Sequence, residues 1–223
     1  MLKDAKKARG SRLRPLEASE AAAKRPKLTR AEKKEQIRAA LFAAAAKVVG
    51  EHGYSNAQVA MITTRASVAQ GTFYNYFESQ QDLLDQLLPA VGQEMLSYIK
   101  EASRGVSSDL EREERSFRAF FEFLKINPDF YRILYEAEVF APEAYKRHNE
   151  AVARGYVRVL ERAMDRGETR ITDKRHLEVV AQMLMGARHY LCMRFARTNG
   201  GDISLPDWVV EAYMSVVKDG VYR

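Results

Sequence analysis

Apolar residues recur at helical spacing along almost the whole chain, and the pattern breaks only at prolines, glycines and capping residues. In the first such stretch Ile37, Leu41, Ala45 and Val48 share one helical face. Thr29 followed by Glu32 has the form of a capping box, in which a hydroxyl and a carboxylate satisfy orphan helix amides, and Gly53 supplies the stop. The spacing predicts a helix over about 30–52, then two much shorter ones over about 56–66 and 68–74. A longer helix is expected over 79–103, bent rather than ended by Pro89 and Gly92. Five more are expected over about 110–126, 128–139, 142–167, 173–198 and 205–219. Asn127-Pro128, Ala141-Pro142, Gly167, Gly200-Gly201 and Pro206 separate them. Neither an alternating strand pattern nor a solenoid repeat is present, so the expected fold class is all-α.

Composition narrows the picture. With 46% hydrophobic residues in 223, the chain has enough apolar mass for a real core. Cys192 is the single cysteine, which excludes an internal disulfide framework and a cysteine-based zinc site; a reducing, cytoplasmic setting is the expectation. No run approaches the roughly 18 apolar residues of a membrane span. The net charge of +6 is uneven: residues 1–30 hold ten Lys and Arg against three acids, and the remainder is near balance. Residues 1–28 read as a basic, mostly disordered arm with a fragment of helix around 18–24. Such an arm suits attraction to nucleic acid through counterion release, and it also fits a solvated tail.

One long helix followed by two short ones is the arrangement a three-helix DNA-binding unit requires. The most informative stretch runs from Ile62 to Phe77, Ile-Thr-Thr-Arg-Ala-Ser-Val-Ala-Gln-Gly-Thr-Phe-Tyr-Asn-Tyr-Phe. Val59, Ile62, Val68, Phe73 and Phe77 are expected to form a small core. Thr72, Tyr74, Asn75 and Tyr76 bring polar tips that face outward, and Asn75 or Gln70 has the chemistry to reach base edges. Gly71 inside a short helix costs about 1 kcal/mol relative to Ala. Close approach of DNA phosphates, or of a crossing helix, would each account for it.

This stretch resembles the N-terminal signature of TetR/AcrR-type transcriptional regulators over roughly residues 31–88. The matching positions are Gly53, Tyr54, Val59, Ile62, Ala66, Val68, Gly71, Thr72, Phe73, Tyr74, Tyr76, Phe77 and Leu83. The resemblance implies a helix-turn-helix domain over 29–78, followed by a helical ligand-binding and dimerisation domain over 79–223. It implies a DNA interface at Gln70, Gly71, Thr72, Tyr74, Asn75, Tyr76 and Gln80. Four departures stand out: Ser67 replaces the usual turn glycine, Ala69 the usual capping serine, Ala57-Gln58 the usual Thr-Thr, and Gln80 a frequent lysine. They remove expected phosphate contacts, which the basic arm is placed to replace, and Ser67 is a candidate substitute cap.

The segment 117–156 is rich in rings. Phe117, Phe121, Tyr131, Tyr135, Tyr156, Met183 and Arg188 are the candidate lining of a small-molecule pocket. A well-packed core without a ligand is the competing reading of the same residues. Glu138, His148 and His189 are further candidates, with Arg188, for orienting a carboxylate or hydroxyl. By resemblance the last two helices pair across a two-fold axis, with Leu184, Leu191, Trp208, Val209 and Tyr213 at the dimer interface. No metal spacing, phosphate loop or nucleophile elbow is present, so neither enzyme activity, a metal nor a cofactor is expected. The expected partners are double-stranded DNA with a pseudo-palindromic operator, a second copy of the chain and a small effector. The reading is a repressor released by an apolar or aromatic ligand; the alternative is a non-specific architectural DNA-binding or helical interaction protein without a ligand.

Overall fold

The computed structural model describes residues 29–196 and 203–222. The basic arm over 1–28, the end of the helix expected to reach 198, and the Gly200-Gly201 break lie outside them. The first helix, α1 (Arg30–His52), starts at the expected capping box: Thr29 N donates to the Glu32 carboxylate at 2.7 Å, and Glu32 N donates to Thr29 Oγ1 at 3.2 Å. It stops at Gly53, whose φ of 81° only glycine adopts without strain. After a tight turn over Tyr54–Asn56 come α2 (Val59–Arg65) and α3 (Gln70–Phe73), both shorter than the sequence pattern predicts. Ser67 does not cap α3. It takes the left-handed turn conformation at φ 56°, the role of the missing glycine, and α3 begins from Ala69 without a side-chain cap.

The long helix α4 (Gln80–Ala102) is capped by Ser79, which accepts from Asp82 N, and runs unbroken through Pro89. A proline at 89 cannot donate to the carbonyl of Asp85 four residues earlier. Arg147 supplies the missing donor, its Nη2 lying 2.6 Å from Asp85 O. Arg147 belongs to α7 (Pro142–Asp165), which packs along α4 beside α5 (Asp109–Ile126) and α6 (Pro128–Phe140). Close approach of α7 to α4 needs Gly92: a Cβ there would fall on the ring of His148. α8 (His176–Leu191) continues as one π-helical turn over Cys192–Ala196, and α9 (Asp207–Gly220) packs on α5. Among the described residues the only extended pairing is an isolated bridge between Thr169 and Tyr222.

One continuous core runs from the N-terminal helices into the rest. Leu41, Val48, Ile62, Phe73, Phe77, Leu83 and Leu87 are buried together at one end. Phe117, Phe120, Phe123, Phe130 and Ile133 fill the other. Polar contacts flank this core between α1 and α6. Arg132 on α6 donates to the carbonyls of Gly50 and Glu51 at 3.2 and 3.1 Å, capping the C-terminus of α1. Glu136, one turn on, pairs with Arg132 at 2.6 Å and accepts from Tyr54 N at 2.8 Å. Lys47 on α1 pairs with Asp129 at the start of α6.

Two predictions follow from this packing. Arg132→Ala leaves two helix-end carbonyls and Glu136 without their donor at a partly solvated site, and should lower the unfolding free energy by about 1–2 kcal/mol, read as a lower urea midpoint at unchanged m. The second concerns His148, which is 5% exposed and whose imidazole burial pushes down to about 4 from an ordinary 6.5. As pH falls through 6.5 the unfolded chain takes up a proton there that the folded chain refuses until about 4, so stability falls across that window. The loss attributable to this group is about 2–3 kcal/mol; urea unfolding of His148→Asn at pH 7 and pH 4.5 should show a correspondingly smaller drop than the parent.

Candidate functional site

Two sites emerge, one at each end of the core. The first is the outer face of α3. Its inner residue Phe73 is fully buried, and its ring meets Phe77 at 5.4 Å, which fixes the orientation of the four-residue helix. That orientation turns Gln70, Gly71, Tyr74 and Asn75 outward, Tyr74 being 56% exposed, with Thr72 and Tyr76 half-buried beside them. Gln80, the first residue of α4, is half-buried. Val59 and Val68, expected in the small core, pack at its margin while Ile62 lies at its centre. An added Cβ at Gly71 meets nothing within 4 Å. Among the described residues no crossing helix therefore explains this glycine.

The exposed groups are hydroxyls and amides, the donors that reach phosphate oxygens and base edges. Arg65, at the end of α2, is not one of the available cations: it forms two 2.7 Å bonds to the Glu51 carboxylate. The site thus offers shape and neutral donors rather than a dense basic patch.

The second site is a cavity of about 1130 Å³ among α4, α5, α6, α7 and α8. Tyr131, Tyr135, Tyr156 and Arg188 line it as the sequence predicts, and so do Glu138, His148 and His189. Phe117, Phe121 and Met183 do not. Phe117 is fully buried and stacks on Tyr213 at 3.9 Å, Phe121 packs in the same core, and Met183 is 67% exposed on the outer face of α8. Phe120, one position from the predicted ring, faces the cavity.

A buried polar hub sits on the wall. Arg188 Nη2 donates to Glu113 Oε1 at 2.9 Å and to Ser116 Oγ at 3.2 Å, and Nη1 donates to Leu184 O at 3.4 Å. The guanidinium lies 5.3 Å from the Phe117 ring centre and 5.0 Å from that of Tyr156. Burial holds the Tyr213 phenol well above its ordinary range, so it stays protonated and donates to Glu113 Oε1 at 2.6 Å. Removing one member of such a buried pair strands the other charge, at roughly 3–5 kcal/mol. Sequence reasoning identified Arg188 and missed Glu113, which sits in an acidic and basic run that reads as a solvated helix face.

The residues assigned to a dimer interface divide. Leu184, Val209 and Tyr213 are buried within the chain, Leu191 is half-buried, and Trp208 is exposed. This corrects the assignment of the first three. α8 turns Leu177, Ala181, Leu184 and Arg188 inward and leaves Val179, Met183 and Tyr190 outside; on α9 the exposed apolar residues are Trp208 and Val216. Among the described residues no group of acids, histidines and cysteine is arranged to hold a metal, and no helix is long and apolar enough to cross a membrane.

The chain has relatives. Residues 41–87 match the family model described as bacterial regulatory proteins, tetR family. Over 103 residues the chain is 27% identical to the HTH-type transcriptional activator FasR of Mycolicibacterium smegmatis, covering 46% of this chain and 47% of that protein. Over 44 residues it is 46% identical to the fatty acid metabolism regulator protein of Bacillus subtilis, covering 20% of this chain and 23% of that protein. The chain thus spans less than half the length of these curated relatives. Among solved structures, a TetR family transcription regulator from Marinobacter aquaeolei VT8 aligns over 86% of this chain and 98% of its own, with TM-score 0.67 and 17% identity. The fatty acid degradation regulator FadR from Bacillus halodurans aligns over 81% and 93%, with TM-score 0.65 and 19% identity. These two share the fold, helix-turn-helix end and helical body alike. Residues 41–87 thus carry the sequence pattern of the tetR family of bacterial regulatory proteins, and the described chain shares the fold of the TetR-family structures.

Proposed function

We propose that this protein is a sequence-specific DNA-binding regulator that acts as a homodimer and is controlled by a small effector with an extended apolar chain. The observation that carries the DNA-binding half is the outward face of α3, where Gly71 opens onto empty space between Gln70, Thr72, Tyr74 and Asn75. Effector control is supported by the cavity, whose volume lies slightly above the roughly 300–1,000 Å³ of small-molecule sites. Relatives named for fatty acid metabolism and degradation support the chain-like ligand.

Two helices connect cavity to DNA face. α4 carries Leu83 and Leu87 in the N-terminal core and Met95, Leu96 and Ile99 on the cavity. α6 presents Tyr131, Leu134 and Tyr135 to the cavity and Asp129, Arg132 and Glu136 to α1 and the turn after it. A ligand that prefers one placement of α4 and α6 shifts the headpiece by that preference and no more. We assign repression as the sign, by occupancy of a promoter and release on ligand binding; the relative FasR is named an activator, and a promoter fusion measured with and without the regulator decides between the two.

The homodimer is assigned to the exposed apolar residues of α8 and α9, since exposure of Val179, Met183, Tyr190, Trp208 and Val216 on the last two helices suits a self-complementary interface. Met183→Glu with Val216→Glu should convert a dimer into a monomer by sedimentation and abolish tight operator binding with it.

The first measurement is fluorescence anisotropy with duplex tiles from the region upstream of the protein's own gene against scrambled DNA, at about 150 mM salt where non-specific attraction is screened. Tight binding to one pseudo-palindromic tile is the expected result; equal, weak and steeply salt-dependent binding to every tile would favour a non-specific architectural protein. Gly71→Ala separates the DNA face from the fold. It should leave stability equal or raise it by up to about 1 kcal/mol, yet weaken specific binding roughly tenfold or more, as an added methyl meets the phosphates or bases.

A further inference from the structure

The cavity has one end where polar groups converge. Ser103, at the C-terminus of α4, lines it together with Arg112, Glu113 and Ser116 of α5 and Arg188 of α8. Ser103 is 6% exposed, and its hydroxyl has no hydrogen-bond partner among the described residues. A buried hydroxyl without a partner is unfavourable unless something arrives to take it. It lies beside Arg112, whose Nη1 donates to Ser103 O at 3.3 Å.

The lining at this end carries two guanidiniums and one carboxylate. Arg112 and Arg188 both face the cavity, and Glu113 is the one acid that does so with them. Arg112 leans at 3.4 Å on Asp109, which does not line the cavity; Arg166 shares that carboxylate and also pairs with Glu168 at 3.1 Å. Glu113 is itself fully engaged on one oxygen, which receives both Arg188 and Tyr213. The remaining cavity cations, Lys100, Arg154, Arg158 and Arg162, are exposed and solvated at the rim, where they draw anions inward without fixing them. His148 is buried and uncharged near neutral pH, and Glu138 is exposed.

We infer that this end is a carboxylate site: the effector carries a single carboxylate head, held by Arg188 and Arg112 with the Ser103 hydroxyl as an additional donor, while its chain lies along Leu96, Ile99, Phe120 and Leu134. The inference rests on the effector reading above and adds the chemistry of the head group. A guanidinium has five donors in a planar fork, and Arg188 spends only part of that set on Glu113, Ser116 and Leu184. A neutral alcohol or ester would satisfy the Ser103 hydroxyl but make no charge-assisted bond to the guanidiniums. Binding here also competes with Glu113 for Arg188, and so reaches α9 through Tyr213.

The test is calorimetric titration of the full chain with octanoate, dodecanoate and hexadecanoate, each against the primary alcohol of the same length below its aggregation limit. A carboxylate preference of roughly tenfold or more is expected. Arg188→Gln should remove the preference while alcohol affinity persists. Ser103→Ala should weaken the carboxylate a few-fold, weaken the alcohol less and not lower Tm, so it keeps the test decisive if Arg188→Gln fails to fold. Equal affinity for the two heads in the parent, or a preference that survives Ser103→Ala and Arg188→Gln undiminished, overturns the carboxylate site while sparing the apolar-effector reading. Absence of binding by every amphiphile of either kind overturns both.

Discussion

Everything at the proposed DNA face depends on a helix too short to exist by itself. α3 has four residues and α2 seven, whereas isolated helices shorter than about 12–15 residues are marginal in water. No side-chain cap assists α3, and Ser67 in the preceding turn holds a left-handed conformation that disfavours a side chain. The geometry of the site is therefore borrowed from tertiary packing. Phe73 and Phe77 anchor α3 to Ile62, to Phe42 of α1 and to Leu83 of α4, and with the rings locked inward the hydroxyls and amides between them have nowhere to point but out.

That dependence ties the face to the cavity. The helix that supports Phe77 also borders the cavity, because α4 is one unbroken rod in which Arg147 of α7 supplies the donor that Pro89 lacks. The far end of α1, which supports the same core, is capped by α6 through Arg132 and Glu136. A rigid core transmits displacement rather than absorbing it, since side chains in close-packed interiors have few alternative arrangements.

Much of this was legible in the sequence where a local signal and a global one agreed. The capping box at Thr29 and Glu32, the stop at Gly53 and the prolines at 128 and 142 each mark a helix end in the structure. The short helices were overextended because apolar residues continue through turns whose conformation periodicity does not register. Cavity residues were legible only in part. Phe120 and Phe121 are adjacent, and nothing in an unbroken aromatic run tells which ring faces a cavity and which a neighbouring helix; the answer depends on α9 packing Tyr213 against Phe117. For Glu113 the missing information is its partner, 75 residues away. Leu184, Val209 and Tyr213 carried the apolar character of an interface, but an interface and an internal core share that composition, and only the phase of α8 and α9 separates them.

The same phase explains why a polar hub is placed where it is. α8 and α9 each have an inward face at the hub, Arg188 and Tyr213, and an outward apolar face at Met183, Tyr190 and Val216. A buried ion pair contributes little net stability compared with well-packed apolar residues, so Glu113, Arg188 and Tyr213 are poor choices if holding three helices together were the only requirement. They are better suited to an arrangement that must be able to change partners. Exchange of one hydrogen-bond acceptor for another at Arg188 alters what restrains α9 without opening an apolar void, whereas a shift of packed leucines would cost contact area throughout the core. The chain thus pairs an apolar core toward the proposed DNA face with a buried polar junction where cavity, α8 and α9 meet.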